Sequence, residues 1–324
     1  MIKNNFIYCI LIIILLFVII QIILVILYFL GLFKKYVLTK EINLQERYGY
    51  NAWVLVTGCS SGQGKKIAIE FAKRGFNIYL VGSPRIKEVE KFIKNNYNVD
   101  TRRSVVDFSN AYKNDFFNPI IETINQLPGE LAILVNNVAH RVAWKPYHKM
   151  PSQKINDSII CGTIVQARLT QIAIQFFLKR NFLYKSCIVN ITSMCTYSSF
   201  WFGQIGDISV PYLSVYEGAN AFGYFHSNSI QKEYGDNIDI LNITPGAVIT
   251  ENTGYLKNIP FSVDSDTYIK NIFKLIGNYT GPQYADWKHD ISNILCNFMF
   301  FYKDKILEHT GNIIAKNYMD SYES

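Results

Sequence analysis

The sequence lacks the patterns that mark disulfide-rich, metal-binding and nucleic-acid-binding proteins. Its 324 residues include six cysteines, but no two of them have C-x-x-C spacing and none has a histidine at metal-ligand spacing. Scattered cysteines indicate buried thiols in a reducing compartment and no metal site. The formal net charge is +7, yet no basic block is interleaved with aromatic residues, so nucleic acid is not expected as a partner. The cysteines are Cys9, Cys59, Cys161, Cys187, Cys195 and Cys296.

Charge is also missing from a long stretch near the amino terminus. Residues 6–33 contain no Asp, Glu, Lys or Arg, and their one strongly polar side chain is Gln21. As a helix this stretch would be about 42 Å long, which exceeds the ~30 Å hydrocarbon core of a bilayer. A cleaved signal peptide would have a shorter apolar core and a small-residue cleavage site, and a buried soluble helix would not be apolar all round. We therefore expect a retained single-pass anchor, with the lipid bilayer as partner.

Positive charge is concentrated after this stretch. Lys34, Lys35 and Lys40 follow it, whereas Lys3 and the amino terminus precede it. This bias predicts that the rest of the chain lies on the positive side of the membrane, in the cytosol or the mitochondrial matrix.

Short apolar runs alternate with helical patterns from residue 52 onward. The runs are β-branched and apolar on both faces, as in a parallel sheet covered by helices. They lie at residues 52–58, 77–82, 104–108, 131–137, 187–192 and 238–246. The pattern predicts an α/β fold, a Rossmann-type doubly wound parallel sheet preceded by one transmembrane helix.

Four segments are predicted along the chain. They are an anchor at 1–35, a juxtamembrane linker at 36–50, a Rossmann domain at 51–255 and a C-terminal helical extension at 256–324. The extension contains an apolar run at 291–302 that ends at the charges of Lys303, Asp304 and Lys305. We expect this run to face a membrane interface or a partner, and not to span the bilayer.

A glycine-rich turn follows the first predicted strand. Residues 57–64 read TGCSSGQG, which places Gly58, Gly62 and Gly64 between a strand and a helix. Glycine lets the backbone approach a pyrophosphate closely, and the helix N-terminus favours its negative charge. A glycine trio alone also fits a purely structural turn, but its βαβ setting favours dinucleotide binding.

Six motifs in order give the chain a family resemblance. It resembles the short-chain dehydrogenase/reductase superfamily, and within it the membrane-anchored 17β-hydroxysteroid dehydrogenases and very-long-chain 3-ketoacyl-CoA reductases. The motifs are TGCSSGQG (57–64), VVDFS (105–109), LVNNVA (134–139), IVNITS (188–193), the helix that carries Tyr216, and TPGAVIT (244–250).

The resemblance implies a cofactor site. Residues of the glycine turn would hold the pyrophosphate, namely Gly58, Ser60, Ser61, Gly62 and Gly64. Asp107 would contact the adenine, and Asn137 would stabilise the central strand beside the cofactor. The nicotinamide would be flanked by Pro245, Gly246, Val248 and Thr250.

The end of the second strand favours NADP(H) over NAD(H). A carboxylate there binds the ribose of NAD, whereas a basic residue accommodates the 2′-phosphate of NADP. The chain has Gly82, Ser83 and then Arg85, so a carboxylate is absent and Arg85 or Lys65 is the candidate phosphate ligand. Arg85 also fits an ordinary solvated loop residue. Gln63 and Ala139 depart from the family pattern, and we expect both to crowd the cofactor.

The catalytic set matches the family only in part. The family uses Asn, Ser, Tyr and Lys, and the serine and tyrosine match Ser193 and Tyr216. The lysine position is Asn220, and the asparagine position is Gly162. An aromatic insertion, SSFWFGQIGDI at residues 198–208, separates Ser193 from Tyr216 and is expected beside the substrate entrance. Other Tyr-x-x-x-Lys strings occur at 36–40 and 284–288, but neither follows Ser193 into the expected helix.

The missing lysine has a direct chemical meaning. A free phenol has a pKa near ~10, and a cation within about 4–6 Å lowers it by roughly 1–3 units. Asn220 supplies no charge, so Tyr216 is expected to be a poor proton donor at neutral pH. On this ground Asn220→Lys combined with Gly162→Asn is expected to recover some ketone reduction.

Two functions remain open on the sequence. The first is a membrane-anchored, NADP(H)-binding protein with impaired catalysis, acting as an accessory or structural subunit among other membrane-complex subunits. The second is an active NADPH-dependent reductase of long-chain 3-oxoacyl-CoA or of a steroid ketone. The family analogy favours the endoplasmic reticulum membrane, and the mitochondrial inner membrane is the alternative.

Overall fold

The computed structural model describes residues 2–139, 145–180, 183–195, 198–200, 204–206, 209–251, 253, 259–298 and 303–323. The chain divides into two compact units, Met1–Lys40 and Glu41–Ser324.

The first unit is one long apolar helix. Helix α1 (Ile2–Phe33) continues into a π-helical turn at Lys34–Leu38. By length and composition Ile10–Leu38 is a candidate membrane span, and none of its apolar window is buried. A second stretch, Ser152–Phe177, passes the same test but is 44% buried and belongs to the core of the second unit.

The second unit is built on a seven-stranded sheet in which every pair of neighbours is parallel. The strands are β1 (Trp53–Thr57), β2 (Asn77–Gly82), β3 (Thr101–Val105), β4 (Leu131–Asn136), β5 (Ser186–Ile191), β8 (Ile238–Ile243) and β11 (Gly281–Gln283). Their order across the sheet is β11-β8-β5-β4-β1-β2-β3. This order, with its reversal beside β1, confirms the predicted doubly wound parallel sheet.

Helices cover both faces of the sheet and form two apolar cores. One face packs against α3 (Gly62–Lys73), α4 (Ile86–Asn96) and α9 (Ser265–Leu275). The other packs against α5 (Asn118–Asn125), α7 (Val165–Phe177) and α8 (Ser214–Tyr234). The remaining elements are α2 (Leu44–Tyr48), α6 (Ser152–Ile159), the pairs β6 (Ser198–Phe200) with β7 (Gln204–Gly206) and β9 (Val248–Ile249) with β10 (Val263–Asp264), α10 (Trp287–Phe298) and α11 (Lys303–Glu323).

Residues 41–50, predicted as a linker, are part of the folded second unit. Leu44 and Tyr48 of α2 are buried in its core. Arg47 binds Asp239 at the start of β8 with Nε 2.6 Å from Oδ2, and the Tyr48 hydroxyl donates to the same oxygen at 2.8 Å. The hydrogen bond to Asp239 is the main reason why the pKa of Arg47 is raised. Because the Asp239 side chain is buried, the hydrogen bonds from Arg47 and Tyr48 compensate a carboxylate charge that water does not reach.

Asp239→Ala is expected to lower the free energy of unfolding of the second unit by about 2–4 kcal/mol. Breaking a buried pair leaves an uncompensated charge, which costs about 3–5 kcal/mol, and the partial exposure of Arg47 reduces that cost. The matched control is Asp266→Ala, because Asp266 is exposed and its ion pair with Lys66 is worth about 0–1 kcal/mol. Urea unfolding followed by circular dichroism measures both, and equal losses in the two variants would contradict the assignment.

Candidate active site

The glycine turn between β1 and α3 is shaped so that side chains are excluded. Gly58 and Gly62 have φ angles of 61° and 56°, in the left-handed region that favours glycine. A Cβ on Gly58 would lie 2.9 Å from the Cα of Val138, and one on Gly64 would lie 2.6 Å from the carbonyl oxygen of Gly58. The two glycines therefore let the turn pack closely on itself and on the residues that follow β4, where any side chain would collide.

Asn137 holds the turn against the end of β4. Its Nδ2 donates to the carbonyl oxygens of Thr57 and Gly58, both at 3.2 Å. The Thr57 hydroxyl accepts from the backbone N–H groups of Asn137 and Val138 and donates to the Val135 carbonyl. Asn137 thus lies beside the glycine turn, where its expected role in supporting the central strand is possible.

The turn also contains a buried hydrogen-bond acceptor, on Gln63, that a bound dinucleotide could pair. Ser61 precedes α3 as its N-cap residue, and Gln63 lies in the first turn of that helix. The side-chain oxygen of Gln63 is buried and has no hydrogen-bond partner within the described part of the chain. A buried acceptor of this kind costs free energy unless a donor reaches it, and a ribose hydroxyl next to the pyrophosphate would be such a donor.

The predicted adenosine end lies at the ends of β2 and β3. Gly82 closes β2, and its carbonyl accepts from the backbone N–H of Val106 at 2.9 Å, so the two strand ends are adjacent. Arg85 is exposed just before α4. Asp107 is also exposed, and its Oδ1 accepts from the backbone N–H of Ser109 at 3.0 Å. Their roles toward the adenosine remain predictions.

The predicted nicotinamide end is formed where β5 and β8 continue side by side. The backbone N–H of Met194 donates to the Pro245 carbonyl at 2.8 Å, which brings Ser193 next to the Pro245–Gly246 turn. Ser193 is buried, and its hydroxyl accepts from the N–H of Cys195 at 3.2 Å. Beyond the turn, Val248 begins β9, and the hydroxyl of Thr250 lies 2.8 Å from that of Thr253.

Tyr216 and Asn220 lie one turn apart on α8 and line the same small cavity. Its volume is about 30 Å³, enough for one or two waters. No lysine or arginine occurs among the described residues that line it, which are Asn136, Val138, Ala139, Ser158, Gly162, Gln166, Ile191, Tyr216, Ala219 and Asn220. Asn220 donates from Nδ2 to the carbonyl oxygen of Tyr216 at 2.8 Å, so its amide turns back onto its own helix.

Gly162 is a packing residue as well as the position of a missing asparagine. It lies in a π-helical segment, Ile160–Ile164, between α6 and α7. A Cβ at Gly162 would lie 2.7 Å from the Cβ of Ala219, the residue before Asn220. An asparagine at 162 would therefore require α8 to shift. The recovery of some ketone reduction by Gly162→Asn with Asn220→Lys stays a prediction that depends on this shift.

Helix α11 packs over the Tyr216 side of α8, a contact that sequence reasoning missed. Leu307 and Ala315 of α11 form an apolar cluster with Val210 and Leu213, and Tyr216 packs against it. Tyr212 has a φ angle of 74°, and its hydroxyl donates to Asn312 Oδ1 at 2.9 Å. The spacing of Leu307, Gly311 and Ala315 by four residues was the available signal. Of the predicted insertion at 198–208, residues 201–203 and 207–208 lie outside the described residues.

Taken together, the parallel sheet, the glycine-rich turn after β1 and the Ser193 and Tyr216 positions define a dinucleotide-binding oxidoreductase fold. The chain belongs to the short chain dehydrogenase family, whose profile, described as "short chain dehydrogenase", matches residues 52–258.

Relatives and a solved structure agree with this assignment. A Rattus norvegicus protein named very-long-chain 3-oxoacyl-CoA reductase is 30% identical over 258 residues, which cover 77% of each chain. A Caenorhabditis elegans protein named putative steroid dehydrogenase 1 is 29% identical and covers 77% of this chain and 76% of its own. The short-chain dehydrogenase of Sphingobium yanoikuyae, solved with NADPH, superposes with a TM-score of 0.60 at 21% identity, over 73% of this chain and 88% of that one. That likeness concerns the fold.

Proposed function

We propose that this protein is a membrane-anchored, NADP(H)-binding member of its family in which ketone reduction is strongly impaired. The observation that carries the proposal is the hydrogen bond from Asn220 to the Tyr216 carbonyl, which occupies the lysine position with a neutral amide held on its own helix. Its role is that of an accessory or structural subunit, with other membrane-complex subunits as partners. The endoplasmic reticulum membrane is the proposed location, and the mitochondrial inner membrane is the alternative.

The chemistry of the site supports impaired proton transfer. Bound NADPH would supply a hydride to a ketone carbon, and the glycine turn, with Arg85 or Lys65 at the 2′-phosphate, would hold it. Ser193 would then orient the ketone oxygen, and the Tyr216 phenol would give it a proton. Asn220 carries no charge that could lower the phenol pKa as the family lysine would, and the loss of a shift of roughly 1–3 units corresponds to a 10- to 1000-fold slower step if fully expressed in the rate.

An active reductase is the second candidate. It is favoured by the two relatives named for oxoacyl-CoA reduction and steroid dehydrogenation and by the retained Ser193 and Tyr216. Its substrate would be a long-chain 3-oxoacyl-CoA or a steroid ketone. In that case a water in the cavity between Asn136 and Asn220 would have to replace part of the lysine's function.

Turnover by the full-length, detergent-solubilised protein separates the two functions. With NADPH and a 3-oxoacyl-CoA we expect fewer than about 0.01 turnovers per second, against the ~1 per second or more that is ordinary for enzymes. Tyr216→Phe is the control, and we expect it to lower this residual rate further, because the phenol is still the proton donor. The native mass should exceed that of the chain in its detergent micelle if partner subunits co-purify. Turnover near 1 per second that Tyr216→Phe abolishes would replace the first proposal by the second.

A further inference from the structure

His289 of α10 contacts the Pro245–Gly246 turn at the predicted nicotinamide end of the candidate active site. The side chain is 1% exposed, and its ring lies 5.3 Å from that of Tyr268 between centroids. Its Nδ1 accepts a hydrogen bond from the backbone N–H of Gly246 at 3.2 Å. This bond links a residue beyond the sheet to the Pro245–Gly246 turn.

The ring also fills the space beside Gly246. A Cβ at Gly246 would lie 2.7 Å from His289 Cδ2, 3.0 Å from Nε2 and 2.7 Å from the sulfur of Met194. Met194 follows Ser193 directly and donates its backbone N–H to Pro245. The imidazole and the Met194 side chain therefore fix the turn from two sides, next to the catalytic serine position.

The hydrogen bond from the Gly246 N–H identifies the protonation state of the His289 imidazole. An accepting Nδ1 carries no proton, so the ring is neutral and its proton is on Nε2. Nε2 is buried and unpartnered among the residues that the structure describes. A second proton, on Nδ1, would turn the acceptor into a donor and remove the bond to Gly246.

The surroundings favour the neutral ring. Burial is the main cause of the lowered pKa of His289, and Lys288 acts in the same direction. Asp286, the main-chain carbonyl of Ala247 and Asp290 oppose it. Tyr268 packs on the ring from α9, and its own pKa is raised well above the usual value by burial, so it stays neutral as well.

We propose that neutral His289 is a positioning residue that holds the Pro245–Gly246 turn in the shape required by the nicotinamide end of the cofactor. This rests on the proposed NADP(H) binding, because the turn matters only if a dinucleotide lies against it. His289 acts through the Gly246 N–H and not on the substrate.

The test compares His289→Asn with His289→Leu in the full-length protein. Asn places an acceptor oxygen where Nδ1 lies, whereas Leu fills similar space without an acceptor. At pH 7.5 we expect NADPH, followed by its fluorescence, to bind the Leu variant about tenfold more weakly than wild type. The Asn variant should bind within about twofold of wild type, since the Gly246 bond is kept.

The pH profile gives a second readout that a merely structural role would not change. Wild-type affinity should be constant near neutral pH and fall only as the pH drops through the lowered pKa of His289, which lies below 6.5, the ordinary value of histidine. The Asn variant shares every other titrating group, including the phosphates of NADPH, and should lack the part of the fall due to His289. If the Leu variant does not fold, the pH profiles of wild type and the Asn variant alone test the role of His289.

Each result has a definite meaning. Equal affinities of wild type and the Leu variant, or identical pH profiles of wild type and the Asn variant, overturn the role of His289 while leaving NADP(H) binding intact. Lower melting temperatures in both variants without any change in affinity show that the residue only stabilises the fold, and also overturn it. Wild type that binds no NADPH at any pH overturns both this inference and the proposed cofactor.

Discussion

Ketone reduction is expected to rise about 10- to 1000-fold in the triple variant Asn220→Lys, Gly162→Asn, Ala219→Gly, but not in the double variant that keeps Ala219. An ammonium beside Tyr216 lowers the phenol pKa by roughly 1–3 units, and each unit is worth a factor of about ten. The third change is needed because a Cβ at 162 and the Cβ of Ala219 would be 2.7 Å apart. NADPH oxidation with a 3-oxoacyl-CoA measures the gain.

The comparison of double and triple variants separates the effect of the added lysine charge on activity from the effect of the contact between positions 162 and 219. Ala219→Gly alone is the control, because glycine in a helix costs about 1 kcal/mol of stability without adding a catalytic group. Asn220→Lys alone shows how much the charge achieves without the asparagine. A double variant as active as the triple would mean that α6 and α8 move apart easily at Gly162. A folded triple variant without activity would locate the defect elsewhere, with the α11 contact at Tyr216 as the first candidate.

Gly58→Val is expected to weaken NADPH binding by about 10- to 100-fold. A β-branched residue at a φ angle of 61° carries about 1–3 kcal/mol of strain, which the free turn relieves by shifting and which binding would restore, and 1.4 kcal/mol is a factor of ten. The added Cβ would also meet the Cα of Val138 at 2.9 Å, and backbone cannot move aside as a side chain can. Titration of the protein into NADPH, read by fluorescence or calorimetry, gives the affinity.

Gly218→Ala is the matched control for that experiment. Gly218 lies in α8, and a Cβ there meets nothing within 4 Å, so alanine should leave binding unchanged and add up to about 1 kcal/mol of stability. Circular dichroism establishes that the Gly58 variant remains folded. Unchanged NADPH affinity in a folded Gly58→Val protein would mean that the glycine turn has only a structural role.

The sheet could be predicted because buried parallel strands are apolar on both faces. The predicted runs at 77–82 and 131–137 match β2 and β4 to within one residue. The third run was placed at 104–108, whereas β3 is Thr101–Val105, because this edge strand exposes Arg102 and Arg103 and lacks the continuous apolar pattern. β11 was missed for a related reason, since it has three residues, one of them a proline.

The candidate site was predictable where its residues directly follow strands or share one helix, as Tyr216 and Asn220 do on α8. The turn at 57–64 and the Pro245–Gly246 turn come directly after β1 and β8, so their sequence position fixes their place. His289 and α11 reach the site through contacts between elements far apart in sequence, and their local patterns do not name a partner. The collision between positions 162 and 219 depends on the distance between two helices, which no local pattern contains.

The hydrogen bonds from Arg47 and Tyr48 to Asp239 determine how far the amino terminus can be trimmed in a soluble version of this protein. A version trimmed to the family-matched region, starting at residue 52, would lose all of α2, and the buried Asp239 carboxylate would keep only the longer 3.5 Å contact with Lys185. It would also expose to solvent the apolar core residues that Leu44 and Tyr48 pack against. A version starting at Glu41 keeps these contacts and omits the apolar helix, so it is the better choice for expression and crystallisation.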